Sequence, residues 1–309
     1  MLGSNVSTVG GLQRAFEQAV AWRCECIQVY TTPSRRWEVP DLDPERRAAY
    51  FANWEDSPVQ AVVAHIPFLV NTASENPEAW SRSYTRLIQE VTRADELGVC
   101  AVVLHPGSGG KSPRQEALRR SAKAIRIAIA ETAGSKVRIL AENMAGQGSM
   151  LCARFEEIAE LLELVGEPSR TGVCFDTAHA FIAGYPLVGY DGYDEVFTEF
   201  DRLVGLEQIR VFHVNDSLTA HGSRHDRHAA VGQGEMGLEP FHALMRDHRF
   251  AETPMLLEVP DRDAESFEAL ELLRELELRE SALETAVDRS VQMALAPSAA
   301  LSTTRRACG

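Results

Sequence analysis

Nine side chains able to hold a metal ion recur along the chain in a regular way. His65, His105, Glu142, Asp176, His213 and Glu258 each stand at the end of a short apolar run. Three more donors follow closely: His179 in Asp176-Thr-Ala-His179, then Asp226 and His228 in Asp226-Arg-His228. The densest stretch is 211–228, which starts as an apolar run and passes into a polar loop containing His213, His221, His225 and His228. Imidazole and carboxylate without thiolate suit zinc, with manganese or iron as second choices. Nine donors are too many for one four-coordinate ion and suffice for three if one carboxylate bridges. An ion set of that kind neutralises phosphate oxygens and brings the pKa of bound water towards ~7. A lone His or Glu at a strand end is usually a hydrogen-bonded rim residue. Six such ends in succession are hard to explain that way.

The elements that must position these donors alternate between strand-like and helical periods. Strands are expected at 2–7, 27–31, 59–65, 99–104, 137–142, 172–176, 209–214 and 255–258. Helices are expected at 12–22, 78–97, 112–133, 155–165, 193–204, 238–247 and 264–287. A further helix starts at Asp43-Pro-Glu45, where Asp43 caps and Pro44 takes the first turn. Eight strands separated by helices over some 260 residues predict a (β/α)8 TIM barrel. In that fold, functional groups sit at strand C-terminal ends. A doubly wound open sheet shares the alternation and is the runner-up. One domain over 1–290 is expected, its last helix packing outside the barrel through Phe267, Leu270, Leu273 and Leu276. A small, polar tail at 291–309 is expected to be mobile.

Composition narrows the function. The net charge of −14 argues against broad, non-specific nucleic-acid binding, though not against a local positive site. No apolar run is long enough for a membrane span, and the N-terminus lacks the pattern of a signal peptide. The cysteines Cys24, Cys26, Cys100, Cys152, Cys174 and Cys308 are scattered and read as reduced packing residues of a cytoplasmic protein. Neither a Gly-x-Gly-x-x-Gly turn after the first strand nor a Walker-type loop is present, so no nucleotide cofactor is expected.

Several blocks, in order, resemble the endonuclease IV family of apurinic/apyrimidinic endonucleases. They are Gly3-Ser-Asn-Val-Ser7, His105-Pro-Gly-Ser108, Ala141-Glu-Asn-Met-Ala-Gly-Gln-Gly148, Gly172-Val-Cys-Phe-Asp-Thr-Ala-His179, His213-Val-Asn-Asp216 and Gly222-Ser-Arg-His-Asp-Arg-His228. The resemblance implies a barrel with three zinc ions. His65, His105 and Glu142 would hold the first, and Glu142, Asp176, His213 and Glu258 the second, with Glu142 bridging. His179, Asp226 and His228 would hold the third. It also implies cleavage of double-stranded DNA 5′ to an abasic site, leaving a 3′-hydroxyl and a 5′-deoxyribose phosphate, with trimming of blocked 3′ ends. Glu142 would orient or deprotonate the nucleophile. Arg35 would enter the base stack, and Phe68, where the family usually has Tyr, would fill the gap left by the flipped nucleotide. A monomer is expected.

Three positions depart from the family's pattern. Asn5 replaces a common His, Leu218 stands where Lys is frequent, and Gln233 replaces an acidic residue between glycines. None is among the nine donors, so grip and rate are at issue before metal binding. Two rivals remain: a barrel of the sugar isomerase or epimerase type, which uses one or two metals, and a non-catalytic binder of damaged DNA.

Overall fold

A computed structural model describes residues 1–258 and 265–278. Its centre is a closed barrel of eight parallel strands. These are β1 (Leu2–Asn5), β2 (Cys26–Val29), β3 (Ala61–His65), β4 (Ala101–Leu104), β5 (Arg138–Glu142), β6 (Thr171–Asp176), β7 (Ile209–His213) and β10 (Met255–Leu257). They pair in sequence order, and β10 closes on both β7 and β1. The chain therefore forms a TIM barrel and not the open sheet. Two short strands absent from the sequence reading, β8 (Asp216–Ser217) and β9 (His228–Ala229), form an antiparallel hairpin in the loop after β7.

The helices between strands are α1 (Ala15–Ala21), α2 (Pro44–Glu55), α3 (Pro77–Glu96), α4 (Arg114–Glu131), α5 (Phe155–Val165), α6 (Thr177–Ala183), α7 (Gly189–Leu203) and α8 (Glu239–Arg246). Their starts follow local chemistry. Asp43 accepts from the amides of Glu45 and Arg46, with Pro44 in the first turn of α2. Asn76 caps α3 in the same way, ahead of Pro77. These caps satisfy amides that a helix start leaves bare. The expected helix 12–22 opens with a 3-10 turn at Leu12–Arg14. α7 begins at Gly189, four residues before the expected start, because Gly-Tyr-Asp-Gly reads as a turn.

The strand period divides the core in two. Cys26, Val63, Ala101, Val103, Leu140, Cys174, Val211 and Leu256 fill the barrel interior. The alternate residues, among them Ile27, Val62, Val102, Ile139, Phe175 and Phe212, face the helices. Phe175 there packs on Phe155, Phe197, Phe200 and Phe212. Each such buried side chain contributes about 1.5–3 kcal/mol. Gly3 is forced: a Cβ there would lie 1.6 Å from the Cys26 carbonyl oxygen.

The helix 265–278 packs on this core through Leu270, Leu273 and Leu276, with Phe267 half-buried. Arg274 ties it to the carbonyls of Trp22 and Arg23. The rest of that expected helix, and the tail expected at 291–309, lie outside the described residues. No described helix is long and apolar enough to cross a membrane.

Candidate metal centre

The interior period places the donors. Counting two residues on from Val63, Val103, Leu140, Cys174, Val211 and Leu256 reaches His65, His105, Glu142, Asp176, His213 and Glu258. All six therefore project into the mouth of the barrel, on the face where parallel strands end. His105 and Glu258 stand one residue past their strands. Asp176 also caps α6 by accepting from the His179 amide, and the first turn of that helix carries His179 back over the mouth. The hairpin β8/β9 brings in Asp226 and His228.

The donor atoms fall into three groups, each with its atoms within 4.8 Å of one another. One is His65, His105 and Glu142; a second is Glu142, Asp176, His213 and Glu258; a third is Asp176, His179 and His228. Asp226 joins the third, with Oδ2 3.2 Å from His179 Nε2 and Oδ1 3.3 Å from His228 Nε2. Glu142 thus belongs to two groups, and so does Asp176, whose Oδ2 is 3.7 Å from His228 Nε2.

The protons on these rings can be assigned from their partners. His65 Nδ1–H donates to the Ile66 carbonyl at 2.7 Å, leaving Nε2 bare towards Glu142. His179 Nδ1–H donates to the Asn143 carbonyl at 2.9 Å, and its Nε2 faces Asp226 Oδ2 at 3.2 Å and His228 Nε2 at 3.4 Å. Glu142 Oε2 is fully buried, 3.0 Å from His105 Nε2 and 3.4 Å from His65 Nε2, yet it has no hydrogen bond among the described residues. Buried carboxylate oxygens and imidazole nitrogens converging at these distances would be satisfied together by one cation. The residues present therefore fit a divalent metal, and the nitrogen and oxygen set suits zinc.

The charges agree. Burial pushes the Glu142 carboxyl up, but His105 and His213 outweigh it and hold the group well below the carboxylate range. Burial pulls His179 down, and Asp176, Asp226 and Glu142 hold it well above the usual histidine range. His213 is likewise held high against burial by Cys174, Glu258 and Glu142.

Three supporting amides escaped the sequence reading. Asn143 joins the ends of β5 and β6, its Nδ2 donating to the Asp176 carbonyl and its Oδ1 accepting from the Asp176 amide. Asn215 donates to Asp176 Oδ2 at 2.7 Å and accepts from the Glu258 amide at 2.8 Å. Gln28 on β2 contacts both His213 and Glu258. It stands two residues after interior Cys26, so the period that marks the ligands also marks it.

The expected DNA-contact residues lie on loops. Phe68 is 65% exposed, so it is not a core aromatic, and its ring lies 5.6 Å from those of His65 and His105. Arg35 is exposed in the segment after β2 and lines a cavity of about 720 Å³ with Ser34, Arg36 and Arg46. That segment is held from α3: buried Arg86 pairs with Glu90 at 2.8 Å and donates to the carbonyls of Arg36 and Trp37, while Glu90 accepts from Thr31 and Thr32. Of the departures, Asn5 has a buried Oδ1 without a hydrogen-bond partner among the described residues, and Leu218 is exposed. His221 and His225 are exposed loop residues outside the three donor groups.

Comparison with known proteins matches residues 16–276 to the xylose isomerase-like TIM barrel family. A probable endonuclease 4 of Chlorobium luteolum is 40% identical over 265 residues, covering 85% of this chain and 94% of that protein. One of Chloroflexus aggregans is 38% identical over 276 residues, covering 89% and 96%. The crystal structure of endonuclease IV from Thermus thermophilus superposes with a TM-score of 0.79 at 34% identity, covering 90% of this chain and 99% of that one. A D-tagatose 3-epimerase-like protein superposes with a TM-score of 0.68 at 20% identity, a likeness of fold alone.

Proposed function

The chain belongs to the endonuclease IV family, and we propose that it is a zinc-dependent DNA-repair nuclease that hydrolyses the phosphodiester 5′ to an abasic site. The observation that carries this reading is the convergence of nine imidazole and carboxylate side chains on the barrel mouth, in three groups that share carboxylates. His65, His105 and Glu142 would hold one ion, and Glu142, Asp176, His213 and Glu258 a second. His179, Asp226 and His228 would hold the third, and Asp176 lies in the same donor group as His179 and His228. Bound divalent ions supply charge for the phosphate oxygens and acidify water at neutral pH.

The chain's own residues then have separate tasks. Water adds to phosphorus, the bond from phosphorus to the 3′ oxygen breaks, and that oxygen leaves as a hydroxyl. The phosphate stays on the abasic sugar. Glu142 orients the attacking water. Asn143 and Asn215 hold Asp176 so that the donors stay aimed without rearrangement, which is where preorganised sites gain rate. Phe68 offers an exposed ring beside the site to fill the space of a flipped nucleotide, whose unstacking is cheap because it has no base. Arg35 enters the stack from a loop that Arg86 and Glu90 hold.

The test is an oligonucleotide duplex carrying a tetrahydrofuran abasic analogue, incubated with zinc-loaded protein. This analogue resists lyase chemistry, so a nick means hydrolysis. About three zinc ions per chain and a nick 5′ to the analogue are expected. One ion per chain without nicking would favour the sugar isomerase type of barrel, and tight binding of the duplex without nicking would favour a binder.

A further inference from the structure

Gln28 is fully buried on β2, a strand that contributes no metal donor, and its amide makes two contacts inside the barrel mouth. Its Nε2 donates to Glu258 Oε1 at 2.6 Å. Its Oε1 lies 2.8 Å from His213 Nε2. The orientation of the amide is settled by chemistry. An ionised carboxylate only accepts, so the NH2 faces Glu258 and the carbonyl faces His213. A carbonyl also only accepts, so His213 Nε2 carries its proton.

The consequence lies on the other side of the ring. With Nε2 protonated and engaged, Nδ1 is the nitrogen left to face Glu258 Oε2 (3.1 Å), Glu142 Oε1 (3.2 Å) and Asp176 Oδ2 (3.8 Å), and it is the one free to ligate an ion. One amide thereby selects the ligating nitrogen of His213 and occupies one oxygen of Glu258, leaving the other for the ion. Asn5, the register partner of Gln28 on β1, has no such link, since its buried Oδ1 is without a hydrogen-bond partner among the described residues.

We infer that Gln28 is a positioning residue for the second zinc: it fixes the tautomer of His213 and the rotation of Glu258 so that both ligate the ion shared with Glu142 and Asp176. This rests on the three-zinc reading above. Outer contacts of this kind typically change metal affinity 10–100-fold.

The experiment compares Gln28→Met and Gln28→Glu with the parent protein in zinc titrations against a competing chelator, alongside melting of the zinc-free proteins. Methionine fills similar volume and makes neither bond. Glutamate keeps an acceptor for His213 and loses the donor to Glu258. The expected result for Q28M is selective: one ion of the set binds about 10–100-fold more weakly, the others bind as in the parent, and the zinc-free melting temperature is little changed. Q28E is expected to weaken the same ion. Parent-like affinity for every ion in Q28M would overturn the inference, and so would a uniform loss of all ions together with a large drop in the zinc-free melting temperature. Should Q28M fail to fold, Q28E decides by the same criteria. A parent that binds no zinc would bring down the proposed function, and this inference with it. A zinc-binding parent with an indifferent Q28M brings down only the inference.

Discussion

Glu142 Oε2 and His105 Nε2 lie 3.0 Å apart with no hydrogen bond between them, inside a pocket from which the carboxylate is wholly withdrawn from water. A buried carboxylate oxygen in that position is costly unless a cation satisfies it. Replacing it by an amide removes the charge that two donor groups share. Glu142→Gln is expected to lower the rate of nicking at an abasic analogue by about 10²–10⁴-fold, the range typical of a lost proton-handling group. Affinity for the same duplex, read by fluorescence anisotropy, is expected to stay within about threefold, because Glu142 is too deep to touch the DNA backbone. Nicking at the parent rate would remove Glu142 from the chemistry.

Asp216 anchors the hairpin that carries two of the donors. It is buried and accepts from the amides of Ser217, Gly232, Gly234 and Met236. Gly234 is required for that approach, since a Cβ there would sit 2.5 Å from Asp216 Oδ1. Asp216→Ala leaves these amides without an acceptor, at about 1–3 kcal/mol for each that stays buried. The melting temperature is expected to fall by several degrees. Because β9 holds His228, the His179–Asp226–His228 ion is expected to leave first, taking zinc content from about three to about two per chain. Unchanged zinc content in a clearly destabilised D216A would uncouple the hairpin from the third group.

The sequence was informative where chemistry and period coincide. His65, Glu142 and Asp176 are polar residues ending apolar runs, and such a break stands out against Val and Ile. Gln28 follows the same period, but an uncharged amide before Val29 and Tyr30 looks like an ordinary strand residue. Its meaning depends on His213, 185 residues away. The β8/β9 hairpin could not be read, because two residues per strand carry no period. The role of Asp216 was hidden for a related reason: its partners are backbone amides, which every residue has. Asp176 sits geometrically between two donor groups because it both ends a strand and caps a helix, whereas the family resemblance assigns it to one.

Phe68 and Arg35 are expected to act on DNA and not on the fold. An exposed ring contributes little to folding, while stacking against nucleic acid is worth about 1–3 kcal/mol. Phe68→Ala is expected to weaken binding to abasic duplex about 5–100-fold with zinc content and melting temperature unchanged. Arg35→Ala is expected to weaken binding to abasic duplex with little change in the salt dependence of log Kd, because a guanidinium in the base stack is not a phosphate contact, and a slope flattened by about one unit would place it on a phosphate instead. Isotherms at several salt concentrations separate the two. Parent-like binding by F68A would return its ring to the role of a bystander.

Asp247 supplies a pH dependence remote from the metal donors. It accepts from the Tyr193 hydroxyl at 2.8 Å and from the Arg249 side chain and amide, joining α7 to the segment after α8. Burial pushes its carboxyl up, but Arg249 and Tyr193 outweigh that and leave it below the ordinary value. A carboxyl depressed by folding adds stability that is fully present above its unfolded pKa of about 3.9 and disappears as pH falls through the folded value. Asp247→Asn keeps the shape and loses the charge. In urea titrations of zinc-free protein it is expected to be about 1.5–3 kcal/mol less stable than the parent at pH 6, the range for hydrogen bonds to a charged group. As pH falls below about 4 the parent is expected to lose that advantage, so the two curves converge. A gap that stays constant across this range would mean that the pair holds α7 by shape and not by charge.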